Sequence, residues 1–142
     1  MDETTRVHFE KLKQTIRTNF ENVQIARSSF TEQRALLDVY CTFKGYRVRI
    51  FELIDRVGRS YAYYVFQGDE IIAGFDNAPD GDALRQKYGN DFGSHRTERI
   101  PHAHGRNKET LSLTAEMTYQ AFWQWIQQLL PVSDNCPNES ED

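Results

Sequence analysis

The sequence predicts an α+β domain: an antiparallel meander sheet of about five to six strands, with an N-terminal and a C-terminal helix packed on it. Three observations carry this. Apolar residues recur at helical spacing near both ends of the 142-residue chain. Between residues 23 and 76 the period changes to two, the alternation of strands with one buried face. Short turn signals such as Lys44-Gly45 and Gln67-Gly68-Asp69 separate the alternating runs, and loops this short join antiparallel neighbours.

The elements follow in order. Asp2 is the expected N-cap and Glu3 suits the first turn of a helix over 3–20. Val7, Leu12, Ile16 and Phe20 form its apolar stripe, with Phe9 and Val23 nearby, and Lys11, Lys13 and Arg17 lie mostly on a wetted face. Val23, Ile25 and Arg27 alternate as a short strand, and Ser28-Ser29 begins a turn. Residues 34–43 form a second strand, with Leu37, Val39 and Cys41 on one side and Leu36, Asp38 and Tyr40 on the other. In the third, 46–54, Val48, Ile50 and Glu52 share one face while Arg47, Arg49 and Phe51 take the opposite one. The fourth, 60–66, sends Tyr61, Tyr63 and Val65 one way and Tyr64 and Phe66 the other. Glu70 to Asp76 is the fifth. Residues 80–97 read as an inserted loop with a short helix through Tyr88, opened by Asp80-Gly81-Asp82. Residues 98–104 add a sixth strand and Leu111-Ser112-Leu113 a brief extended piece. Thr114 is the expected N-cap of the last helix, with Glu116 in its first turn. Met117, Ala121, Phe122, Trp125, Ile126 and Leu129 mark its apolar face, and Pro131 its stop. Of Trp123 and Trp125, one is expected in the core and the other on a partner surface.

Composition bounds the class. One domain, 1–131, with one core is the expected organisation, followed by an acidic, disordered tail over 132–142. Eighteen aromatics (nine Phe, seven Tyr, two Trp) offset a modest apolar share of 39%. No apolar run approaches the ~18 residues a membrane helix needs, and the N-terminus has no signal-peptide pattern. Cys41 and Cys136 form no disulfide framework, so a reduced, cytoplasmic protein is expected. The net charge of −4 is set by the tail, whose four acids leave 17 basic and 17 acidic side chains elsewhere. Within residues 83–108, six basic side chains (Arg85, Lys87, Arg96, Arg99, Arg106, Lys108) meet only Asp91 and Glu98. Such a patch suits a phosphate backbone, although charge alone favours a solvated loop.

The stretch from Glu70 to Gly105 concentrates the candidate chemistry. Asp76-Asn77 ends a strand, and Asx side chains commonly serve turns by accepting from an amide two residues on. His102 and His104, two apart on an extended chain, point to one face. His95 lies close by in sequence. On spacing alone the histidines read as surface residues, and Tyr61, Tyr63, Tyr64 and Phe66 as sheet packing. His8 is read as a wetted helix residue with no role.

Phe75-Asp76-Asn77-Ala78-Pro79 and Ile100-Pro101-His102-Ala103-His104, with the hairpin Arg47-Val48-Arg49-Ile50-Phe51-Glu52 and Arg59-Ser60-Tyr61-Ala62-Tyr63-Tyr64, carry a resemblance. The chain resembles the TumE-like family of bacterial toxin–antitoxin proteins, and the order of parts matches over residues 35–130. It departs from the family in having Asp80-Gly81 rather than histidine after the turn's proline, and in the longer link to the histidine motif. The resemblance implies a toxin with a cognate antitoxin protein as partner.

For a toxin acting on RNA, a metal-independent ribonuclease needs a base, an acid and a cation for the charge on phosphate. His102 and His104 are the candidate proton-transfer pair. Asp76 or Glu52 would orient an imidazole, and Tyr64 would stack a base or donate a proton. Arg99, Arg106, Lys108 and Arg96 are the candidate phosphate contacts. No cofactor is expected. The alternative is a zinc or iron site on Asp76, His102 and His104. A second reading of the whole chain is a non-catalytic interaction module with structural histidines, binding through its aromatic sheet edge or last helix. Neither reading fixes the oligomeric state or involves a membrane.

Overall fold

The computed structural model describes residues 2–129, and the expected tail over 132–142, the helix stop at Pro131 and Cys136 lie outside them. The elements run α1 (Glu3–Asn19), β1 (Glu21–Phe30), β2 (Arg34–Phe43), β3 (Tyr46–Asp55), β4 (Arg59–Gln67), β5 (Glu70–Asp76), α2 (Gly81–Tyr88), β6 (His102–His104), β7 (Leu111–Leu113) and α3 (Tyr119–Leu129). Two 3-10 turns, Gly89–His95 and Arg106–Lys108, flank β6. The seven strands form one antiparallel sheet in sequence order, so the meander has one or two more strands than expected. Among the described residues no helix is long and apolar enough to cross a membrane.

Alternation sorts the sheet into two faces. Leu37, Val39 and Cys41 of β2, Val48 and Ile50 of β3, and Tyr61, Tyr63 and Val65 of β4 form the inner face. Phe9, Leu12 and Ile16 of α1 and Phe122 and Ile126 of α3 bury against them. Full burial of side chains this size is worth about 1.5–3 kcal/mol each, so the inner face holds both helices. Burial pushes the Cys41 thiol up to about 12. Asp2 caps α1 as expected, accepting from the Thr5 amide at 2.9 Å.

Three boundaries and one burial expectation differ from the sequence reading. β1 runs through Ser28-Ser29, and the turn lies at Thr31, whose hydroxyl accepts from the Gln33 and Arg34 amides. Register shifts and a positive φ at Asn22 break the alternation that would have revealed its length. Residues 98–100 stay outside the sheet, and the sixth strand is only His102–His104. The Thr114 amide donates to Pro101 O, extending the β6–β7 pairing, and its hydroxyl bonds Ala115 O rather than a helix amide; α3 opens at Thr118, whose hydroxyl accepts from the Ala121 amide. Both tryptophans pack on the core: Trp123 meets Phe20 and Phe43, and Trp125 meets Phe75 and Phe122.

α2 is the short helix expected within 80–97, and the Asp80 carboxylate caps it on the Ala83 amide. Ala83 and Leu84 make a second small core with Ile100, against which Tyr88, Phe92 and Leu111 pack. This anchors the insertion beside β6 and leaves a cleft of about 780 Å³ over the outer face of β3, β4 and β5.

Candidate functional site

Strand register brings the site together. Along one rung of the outer face run Tyr40, Arg49, Tyr64, Gly74 and His104; along the next run Asp38, Phe51, Ala62, Asp76 and His102. The polar side chains therefore cluster because β5 and β6 pair Asp76 with His102 and Gly74 with His104. As expected, the two histidines share a face; their ring centroids are 4.8 Å apart at 89°.

Gly74 makes room for Tyr64. A Cβ at Gly74 would overlap the Tyr64 ring carbons, so only glycine lets the ring cross its partner strand. The hydroxyl then donates to Asp76 Oδ2 at 2.6 Å. Burial, and next the hydrogen bond to Asp76, push the Tyr64 hydroxyl well above the usual phenol range, so it stays protonated as a donor. Asp76 Oδ1 accepts from the Ala78 amide at 3.0 Å, the expected Asx turn.

Asn77 does different work. It is buried, its Oδ1 accepts from the Tyr61 amide at 3.0 Å and its Nδ2 donates to Arg59 O at 2.8 Å. Its own carbonyl accepts from the Ile100 amide. The side chain thus replaces a strand residue against β4 and fixes the carboxylate of Asp76 beside it.

His102 is 1% exposed. Its Nδ1 lies 2.6 Å from Ile100 O. A carbonyl oxygen only accepts, so Nδ1 carries the hydrogen. Nε2 then faces Asp76 Oδ1 at 3.3 Å and Asp80 Oδ2 at 3.9 Å. His104 is 7% exposed, with Nε2 3.9 Å from Asp76 Oδ2. Its Nδ1 is buried with no hydrogen-bond partner among the described residues. Burial, then the neighbouring His102, lower its pKa below the ordinary 6.5.

Not every expected residue joins the site. Arg99 and Lys108 line the cleft, the Lys108 ammonium 5.5 Å from the Tyr64 ring centroid. Arg106 instead pairs with Glu70 at 2.7 Å on the surface, and Arg96 is exposed and outside the cleft lining. His95 stacks on Tyr88 and faces Glu98 at 3.0 Å. Glu52 is on the opposite face of the sheet because residues 52 and 51 alternate, and only Phe51 points to the cleft. It orients a different imidazole: its Oε1 is 3.0 Å from His8 Nε2, while Oε2 takes bonds from Tyr63 and Arg59.

Arg49, and Asp80, which was expected only to open the short helix, also line the cleft. Arg49 is clamped by Asp38 through two bonds of 3.0 and 3.1 Å. The alternation that puts Arg49 on the Tyr64 face was a usable signal for it. Comparison of the chain with family models, with curated proteins and with solved structures finds no match.

Proposed function

We propose that the chain is the toxin of a cytoplasmic toxin–antitoxin pair resembling TumE, and that it cleaves RNA in the cleft above Asp76 and His102. The observation that carries this is the Asp76–His102 pair at 3.3 Å beneath a cleft that Arg99 and Lys108 border. Phe51 and Phe66, both half-buried, line the same cleft and offer faces to unstacked bases, whereas the expected stacking residue Tyr64 is buried against Gly74. In this reading the RNA 2′-hydroxyl attacks the adjacent phosphorus, giving a 2′,3′-cyclic phosphate and a free 5′-hydroxyl. The Asp76–His102–His104 unit takes the 2′-hydroxyl proton, the leaving 5′-oxygen takes a proton from water in the open cleft, and the cations balance charge on the phosphoryl oxygens. With ring centroids only 4.8 Å apart, the two histidines act together on one side of the phosphate rather than as separate base and acid.

A second reading rests on burial. Histidines 1% and 7% exposed also suit a purely structural role in a module that binds a partner protein without catalysis. Growth arrest on induced expression separates the two, compared between the intact chain and His102→Ala/His104→Ala, with circular dichroism on both. Loss of arrest in a folded variant, with cyclic-phosphate ends on RNA from arrested cells, supports cleavage. Arrest that persists in the variant overturns it.

A further inference from the structure

We infer that Asp76, His102 and His104 form a binding site for one divalent transition-metal ion, with Zn²⁺ the best match. The inference concerns the same cleft as the cleavage reading but does not depend on it: an ion bound here makes the three side chains ligands, so the proton transfer proposed above belongs to the ion-free chain.

The first observation is a conflict between acceptors. With Nδ1–H committed to Ile100 O, a neutral His102 presents a lone pair at Nε2 to Asp76 Oδ1 at 3.3 Å. Two acceptors at this distance need a proton or a cation between them. The second observation decides which. A proton on His102 leaves His104 as it is, 7% exposed, with neither ring nitrogen hydrogen-bonded among the described residues. Leaving such a group unpaired costs about 1–3 kcal/mol. A cation shared by the three residues takes the His102 Nε2 lone pair, the Asp76 carboxylate and one ring nitrogen of His104 at once.

The distances suit zinc. Ligand atoms on bonds of about 2.0–2.1 Å to a tetrahedral ion stand about 3.3–3.4 Å apart, the Asp76–His102 spacing. One ligand atom from each residue lies within 4.8 Å of the others, so His104 closes the set by a small approach. The outer partners that metal-bound groups use are already present. Ile100 O holds His102 in the tautomer that frees Nε2, and the Tyr64 hydroxyl holds Asp76. Two nitrogens and a carboxylate leave a fourth position open. Asp76 and His102 both line the cleft, so that position is available to water or a phosphate oxygen.

The test uses the full chain, stripped of metal with a chelator. Zn²⁺ is titrated by calorimetry, and Co²⁺ is followed by its visible absorption and by broadening of the histidine ring signals in NMR. The expected result is one ion per chain, with His102 and His104 broadened and His8 and His95 sharp. Asp76→Asn and His104→Gln should weaken Zn²⁺ binding by more than the roughly 10–100-fold that loss of an outer partner costs, and Tyr64→Phe by about that factor. Absence of binding to the wild-type chain, or broadening at His8 or His95 instead, overturns the site without recourse to variants. RNA cleavage by a wild-type chain that binds no ion overturns the metal and leaves the cleavage reading standing. An ion bound at the three residues, with no cleavage and no arrest, supports the metal and removes the cleavage.

Discussion

The Tyr64 ring lies across Gly74, its cross-strand partner, and its hydroxyl ends 2.6 Å from Asp76 Oδ2. The absent Cβ of Gly74 is thus what connects β4 to the carboxylate of β5. Gly74→Ala should push the ring away, break the bond to Asp76 and destabilise the chain by about 1–3 kcal/mol, the usual cost of overpacking. In Tyr64→Ala the same substitution should cost much less, because the ring it strikes is gone. Urea denaturation of the two single variants and the double variant measures this coupling. Additive losses would mean that Gly74 and Tyr64 are independent.

Asn77 offers a sharper test of how the turn is held. Asn77→Ala strands the Tyr61 amide and Arg59 O, at about 1–3 kcal/mol for each group left buried and unpaired. Asn77→Asp keeps the acceptor for the Tyr61 amide but sets a carboxylate oxygen against a carbonyl. It should therefore be destabilised at neutral pH and recover part of the loss as the new acid protonates. Stability of both variants against pH checks this, and equal losses at all pH values would count against it.

Glu52 contributes to the acid limb of stability. Its burial alone favours the neutral acid, but the His8 hydrogen bond, the Arg59 charge and the Tyr63 hydroxyl outweigh it and hold the pKa below the ordinary 4.5. As pH falls, the unfolded chain therefore takes the proton first. The contribution is complete above about 4.5 and is lost as pH drops through the lower folded value. Glu52→Gln should be less stable than wild type at pH 7 by roughly 3 kcal/mol, as for a broken buried pair. The gap should narrow on acidification below 4.5, which denaturant melts across that range would show.

His104 should titrate below 6.5 in the metal-free chain, because burial and the adjacent His102 both disfavour its charged form. The unfolded state then binds the proton first as pH falls below 6.5, so stability present above that value is lost as pH drops through the folded pKa. His104→Gln should remove that slope. Ring-proton NMR gives the pKa directly, and a value at or above 6.5 would contradict this account.

In β2, β3 and β4 the face of each residue was legible in the sequence, because period-two alternation fixes it once the turns are placed, whereas register shifts interrupt it in β1. Tyr64, Asp76, His102 and His104 were chosen by type and motif, and register then brought them together. Glu52 was misassigned although alternation already set it apart from Phe51 and Tyr64. It was grouped by chemistry, and chemistry carries no information about faces. The roles of His8 and Asn77 depend on tertiary contacts: one on how α1 crosses β3, the other on a side chain standing in for backbone. Thr114 and Thr118 share the same cap chemistry, and only the tertiary structure shows that the Thr114 hydroxyl bonds Ala115 O while that of Thr118 takes the helix amide of Ala121.

The basic side chains over 83–108 divide by position, which composition could not show. Arg99 and Lys108 line the cleft, whereas Arg106 is held by Glu70 and Arg96 stands outside. Under the RNA reading, Arg99→Ala and Lys108→Ala should each weaken single-stranded RNA binding. Each should also reduce the slope of log affinity against log salt by about 0.7, one phosphate contact on a single strand. Arg106→Ala and Arg96→Ala should leave that slope unchanged. Fluorescence anisotropy with a short RNA at several salt concentrations separates the pairs. If all four substitutions act alike, RNA binding follows the charge of the whole segment and the cleft has no special part in it.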